Sequence, residues 1–162
     1  MALNESEFTL RSFNELSGHD LYQILQLRSA VFVLEQTCAY QDLDGLDQQA
    51  LHLFKKADCG EIIAYTRIIS PNQCGGSHSS IGRVVVKQEE RQHKYGNALM
   101  QAAIQVTLKQ FPELPIKISA QTYLTHFYQK LGFVNTGQFY LEDQIPHQEM
   151  IYQASWIVAL SD

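Results

Sequence analysis

Three consecutive β-branched residues, Val84-Val85-Val86, followed by a charged turn and a helix, constrain this chain more than any other feature. Residues 81–104 read IGRVVVKQEERQHKYGNALMQAAI. Consecutive valines without helical spacing suit a strand buried on both faces. Leu99, Ala102, Ala103 and Val106 then recur at helical intervals. Strand, polar turn and helix together make a phosphate-binding arrangement. The first turn of a helix leaves N–H groups unpaired at the positive end of its dipole. Gly96 has no Cβ and lets a ligand approach the backbone, while Arg91, Lys94 and His93 add cationic donors. Taken by themselves, the same residues also read as an ordinary surface turn with solvated charges.

The rest of the chain has the means to bury such a strand. Its 162 residues, 45% hydrophobic and 18% charged, suit one globular domain spanning residues 1–162. A net charge of −5 argues against general nucleic-acid binding. No apolar run approaches membrane-spanning length. The opening MALNESEFTL lacks the basic and apolar segments of a secretory signal. Cys38, Cys59 and Cys74 are odd in number and contain no C-x-x-C pair. That pattern points to reduced thiols in a cytoplasmic protein without a zinc or other metal site.

Alternation predicts strands over residues 8–13, 50–56 and 62–69, with a hairpin turn at 57–60. Ser17 and Asp20 form an imperfect capping box before a helix over about 19–35, where Leu21, Ile24, Leu25, Arg28, Val31, Phe32 and Glu35 follow helical spacing. Residues 71–80 read as a polar, Gly-rich loop leading to the central strand. Phe111-Pro112 ends the next helix. A strand at 115–120 then completes a parallel strand–helix–strand unit. A short helix at 122–133 closes on Gly132 as its C-cap. The final strands are expected at 133–140 and 147–155, joined by 142–147.

The loop from Arg91 to Gly96 resembles the acyl-CoA-binding core of the GNAT N-acetyltransferase superfamily. That core carries Arg/Gln-x-x-Gly-x-Gly/Ala between a strand and a helix. Arg91 takes the first place and Gly96 the last, but Lys94 stands where the first Gly is usual. A left-handed backbone at Lys94 costs about 1 kcal/mol more than at Gly. A second register, His93 through Gly96 to Ala98, fits the glycines and lacks the Arg. The first puts Leu99-Met100 where the family's helix has its apolar pair. A longer string, LRSAVFVLEQTCAYQDLDGLD followed by His52, is similar to the hallmark of a narrower group, the ElaA-like acetyltransferases. FYQKLGF at 127–133 matches a late segment of the superfamily, and IPHQEM at 145–150 resembles the ElaA-like group. The resemblance covers about residues 8–156.

That resemblance implies an α/β GNAT fold: a central mixed, mostly antiparallel sheet of six to seven strands, with a parallel core and flanking helices. It implies acetyl-CoA as co-substrate and no metal. The pyrophosphate would lie on backbone N–H groups of Gln92, Lys94, Tyr95, Gly96 and Asn97 beside Arg91. The pantetheine would run along Val84, Val85 and Val86 where the central strands splay. The acyl group, most simply acetyl, would pass by direct attack to a primary amine of a small molecule or peptide, with no acyl-cysteine on Cys38. Tyr128 would be the general acid, since a phenol with pKa ~10 can hand a proton to a thiolate. Its plainer reading is a half-buried helix residue.

The base stays open among Glu35, His52 and His147. A histidine titrates near working pH, yet both histidines also read as buried strand residues and Glu35 as a partner of Arg28. Arg28 and Arg67 are expected to pair with carboxylates. Asp42, Asp44 and Asp47 around Gly45 are either turn residues or an acidic rim for a cationic amine. Two other functional classes remain: a coenzyme-binding sensor without turnover, and a protein-interaction module using residues 42–47. Exposed final strands leave room for a homodimer.

Overall fold

Eight consecutive buried residues, Ile62–Ile69, form the most interior strand of the protein. The structure is a computed structural model and describes residues 7–153. In chain order the elements are β1 (Thr9–Ser12), α1 (Gly18–Arg28), β2 (Leu51–Lys56), β3 (Ile62–Ile69), β4 (Ser79–Val86), α2 (Tyr95–Gln110), β5 (Ile116–Gln121), α3 (Thr125–Lys130), β6 (Val134–Glu142) and β7 (Ile145–Tyr152). The strands make one seven-stranded sheet in the order β1-β2-β3-β4-β5-β7-β6. Only β4 and β5 run parallel. This is the mixed sheet with a parallel core that the sequence led us to expect.

Helices cover both faces because successive strand residues point opposite ways. On β2, Leu53 joins the cluster under α2, where Leu99, Met100, Ala103 and Ile104 are buried. Its neighbour Phe54 packs with Ile24, Leu27 and Val31 on the other face. Burying one such aliphatic side chain is worth about 1.5–3 kcal/mol. Gly132, at φ 96, closes α3, and a Cβ there would come within 3.0 Å of the Tyr152 ring. That position therefore needs glycine for both its backbone and its room.

Two irregularities position the site. β4 and β5 pair only at Ser79↔Ile116 and Ser80↔Lys117, then part. Between Tyr65↔Val85 and Arg67↔Gly82, the single residue Thr66 faces both Arg83 and Val84, so β4 bulges. Arg83 takes φ 54, in the left-handed region.

Several boundaries differ from expectation. The first helix is α-helical only to Arg28 and continues as a π-helical turn, Ser29–Glu35. There the N–H of Gln36 donates to Val31 O at 3.1 Å and that of Cys38 to Val33 O at 3.2 Å, five residues back. β4 begins at Ser79, inside the expected loop, because the Ser79 N–H donates to Pro115 O at 3.0 Å. The charged turn after β4 is a 3₁₀ helix, Gln88–His93. The short helix splits into a 3₁₀ turn, Thr122–Leu124, and α3. β6 and β7 meet at a tight turn with Asp143 at φ 49 and Gln144 at φ 66. Two positive φ values match the twist of a two-residue hairpin, so β7 starts two residues early. The last residues of the expected final strand, 154–155, lie outside the described residues. Among the described residues no helix is long and apolar enough to cross a membrane.

Candidate active site

Where β4 and β5 part, a cleft of about 910 Å³ opens, lined by Val84, Val85 and Val86 on one side and Ile118, Ser119 and Gln121 on the other. Parting strands leave backbone N–H and C=O groups along the cleft without a ladder partner. Arg91, Lys94, Gly96 and Asn97 line the same cleft, as do Tyr128 and His147.

The loop keeps its left-handed turn despite the lysine. Lys94 sits at φ 59, ψ 22 as the N-cap of α2. Its N–H donates to Arg91 O at 3.3 Å, and the Asn97 N–H donates to Lys94 O at 3.1 Å. An ammonium cannot accept a hydrogen bond, so no side chain caps the start of α2. The positive end of α2 and the Lys94 charge together suit an anion. A Cβ on Gly96 would lie 3.8 Å from Val86 Cγ2, an ordinary contact. The protein interior thus tolerates a side chain there; what the glycine keeps open is the cleft. Two of the expected contributors stand elsewhere. Gln92 and Tyr95 do not line the cleft: Tyr95 packs against the core under α2, with Lys55 Nζ 5.1 Å from its ring centre. His93 is exposed and pairs with Glu90 at 3.1 Å.

Glu35 lines the cleft but is engaged. Arg91 Nη1 and Nη2 donate to its two oxygens at 2.6 and 2.7 Å, and Arg91 Nε donates to Val86 O at 3.2 Å. Those hydrogen bonds outweigh partial burial and hold the Glu35 carboxyl below the usual range. A carboxylate so stabilised is a poor base, and its partner is Arg91 rather than Arg28.

His52 is also corrected. It is fully buried and does not line the cleft. Its Nε2–H donates to Asp47 O at 2.9 Å, and its Nδ1 accepts from the Tyr65 hydroxyl at 2.8 Å. Burial keeps its pKa low against the pull of Asp47. His52 is a neutral structural residue with both nitrogens in use.

His147 differs. It is 9% exposed, and its ring stacks on Tyr140 with 6.2 Å between centres. Nδ1 lies 2.8 Å from Ile145 O. A carbonyl only accepts, so Nδ1 carries the proton and the neutral ring has its lone pair on Nε2. Nε2 has no partner among the described residues. Tyr128, 7% exposed, stands edge-on to Phe127 and Phe133 at 5.0 and 5.9 Å. Its hydroxyl has no hydrogen-bond partner among the described residues. Burial, reinforced by the nearby Tyr123 phenol, pushes its pKa up to about 12.

The three aspartates around Gly45 are neither a plain turn nor a free rim. Arg28 donates to Asp42 at 2.8 Å and Asp47 at 2.7 Å. Arg67 binds Asp44 through two nitrogens at 2.7 Å and Asp47 at 2.9 Å. Arg83 adds Asp42 at 2.7 Å and Asp44 at 3.3 Å. Burial opposes ionisation of Asp44 and Asp47, but the arginines outweigh it and lower both, Asp44 well below the carboxylate range. Arg28 and Arg67 pair with carboxylates as expected. Turn chemistry survives in one bond, the Leu46 N–H to Asp44 at 3.1 Å. The network fixes Tyr40, which lines the cleft and donates to Asp42 at 3.1 Å. Sequence reasoning missed Arg83 and Tyr40 in this role. An arginine directly before a valine run was the available signal for Arg83.

The model of the acetyltransferase (GNAT) domain matches residues 20–154. Protein ElaA of Escherichia coli is 41% identical over 137 residues, covering 83% of this chain and 88% of that protein. The crystal structure of Escherichia coli ElaA aligns with a TM-score of 0.83 at 38% identity, over 91% of this chain and 99% of the other. A crystal structure of an acyl-CoA N-acyltransferase from Pseudomonas aeruginosa aligns with a TM-score of 0.84 at 38% identity, over 90% and 99% of the two chains.

Proposed function

Because the chain belongs to the acetyltransferase (GNAT) family, in its ElaA-like group, we propose that it transfers an acyl group, acetyl in the simplest case, from acyl-coenzyme A to a primary amine by direct attack. One observation carries the reading. The parallel strands separate after two paired residues, and the cleft they leave is lined by the uncapped start of α2, by Tyr128 and by His147.

The coenzyme supplies the acyl group as an activated thioester. Lys94 and the N–H groups at the start of α2 hold its diphosphate. Backbone groups of Val84 and the N–H of Val86, whose carbonyl is taken by Arg91, hold the pantetheine amides, and an N–H there steadies the carbonyl oxygen as negative charge grows on it. His147 Nε2 takes the proton that the acceptor ammonium sheds before its nitrogen attacks, and the proton released as the C–N bond forms passes to water. The Tyr128 hydroxyl donates to the sulfur as the C–S bond breaks. With a pKa near 12, Tyr128 remains protonated in neutral solution and is always ready to donate. The raised pKa also makes it a reluctant acid, so Tyr128 gives up its proton as the C–S bond breaks and the sulfur becomes basic.

Release of free thiol from acetyl-CoA, followed across a panel of primary amines, tests the reading. We expect amine-dependent release and calorimetric binding of acetyl-CoA. Binding without release from any amine would leave a coenzyme-binding protein and end the enzymatic account.

A further inference from the structure

Outside its ion pairs, the cleft keeps both lysines and carboxylates. Arg67 and Arg83 are spent on Asp42, Asp44 and Asp47, and Arg91 on Glu35. Lys94 and Lys130 line the cleft without a carboxylate partner among the described residues, as phosphate ligands should. At the turn between β6 and β7, Glu142 and Asp143 also line it, and no cation pairs with either among the described residues. Glu142 is held by neutral groups. Ser119 Oγ donates to it at 2.7 Å, and the Tyr140 hydroxyl donates to Ser119 Oγ at 2.6 Å. That chain orients the carboxylate without cancelling its charge. The turn is fastened to the neighbouring loop by Cys38 Sγ, which donates to Asp143 O at 3.5 Å.

A second observation points to a ligand here. The Tyr140 ring stacks on His147, a side chain nine-tenths buried that lines the same cleft. The Nδ1 of His147 is used by Ile145, which leaves Nε2 without a partner among the described residues.

We infer that Glu142, Asp143, Ser119 and His147 form the acceptor subsite, and that it takes an amine carrying a second positive charge, such as a diamine or a lysine beside another basic residue. The inference rests on the acyl-transfer reading and adds the substrate class. A nitrogen about to attack must be neutral, so the carboxylates gain nothing from it at that moment. A cation elsewhere on the acceptor stays charged throughout and does gain. Glu142 lies two residues along β6 from Tyr140, a displacement of about 6.6 Å, which an alkyl spacer covers. The aspartates at 42, 44 and 47 cannot serve, because arginines already neutralise them.

The test compares putrescine with n-butylamine, and a lysine-arginine dipeptide with a lysine-alanine dipeptide, as acceptors for wild type and for the double variant Glu142→Gln, Asp143→Asn. Wild type is expected to favour the dicationic member of each pair, with a preference that weakens as salt rises. The double variant should lose about fivefold to tenfold of that preference through KM. A wild-type enzyme with no preference, or a preference that the double substitution leaves intact, overturns the subsite. Preference in one pair alone tells a free diamine from a basic peptide. Should no amine release thiol, the acyl-transfer reading is what has failed. Calorimetric titration of putrescine into both proteins then still decides the subsite, and equal heats overturn it.

Discussion

The Arg91 guanidinium grips both oxygens of Glu35, at 2.6 and 2.7 Å, across 56 positions of sequence. The pair joins the 3₁₀ turn before α2, Gln88–His93, to the π-helical turn, Ser29–Glu35. Glu35, expected as a candidate base, is held as a carboxylate by this pair, while Arg91 still lines the cleft.

Glu35→Gln should therefore cost stability rather than chemistry, by under about 1 kcal/mol, since both groups are partly exposed. The sign of its pH dependence follows from the lowered carboxyl pKa. The contribution is present above the unfolded value of about 4.3 and fades as pH falls through the lower folded value. Urea midpoints of wild type and variant should differ at neutral pH and converge in acid. A gap that widens in acid would rule the pair out as the cause.

Tyr128→Phe should reduce kcat by about 100-fold while the acetyl-CoA dissociation constant stays within about twofold. The ring contacts with Phe127 and Phe133 survive, and the lost hydroxyl has no partner among the described residues, so thermal stability should hold. An unchanged kcat across the pH range removes Tyr128 from the mechanism.

The two histidines should separate cleanly. His147→Gln should lower kcat/KM about 100-fold near neutral pH, and the loss should shrink as pH approaches the amine pKa of ~10.4, where solvent has already removed the proton. His52→Ala should leave activity per folded molecule alone but cost about 2–4 kcal/mol in urea unfolding, because Tyr65 and Asp47 O lose buried partners. The reverse pattern would exchange their assignments.

Lys94→Gly isolates charge from backbone strain. Relief of a left-handed lysine, about 1 kcal/mol, is offset by the greater freedom of glycine in the unfolded chain, about 0.4–1 kcal/mol. Net stability should move by less than about 0.6 kcal/mol. Affinity for acetyl-CoA, measured calorimetrically, should still fall about threefold to tenfold with the lost cation. Equal affinity in wild type and variant would show that backbone N–H groups alone hold the phosphates.

The order of strands and helices was legible in the chain because it depends on local periodicity. Alternation along 50–56 and 62–69, and helical spacing from Leu99 to Val106, set which face each residue turns inward. The left-handed turn at Lys94 was not legible in the same way: the resemblance put a lysine where a glycine is usual and left the shape of the loop open, and the fold kept the turn. Ion-pair partners were not legible either. Arg91 had several carboxylates within reach of its stem, and only the packing of the π-helical turn against the loop selected Glu35. His52 and His147 look alike as strand residues; burial between Asp47 and Tyr65 made the first inert, and a single carbonyl left the second with a free nitrogen. Local preference is written in neighbouring residues, whereas the choice among distant partners is made by the sheet that brings them together.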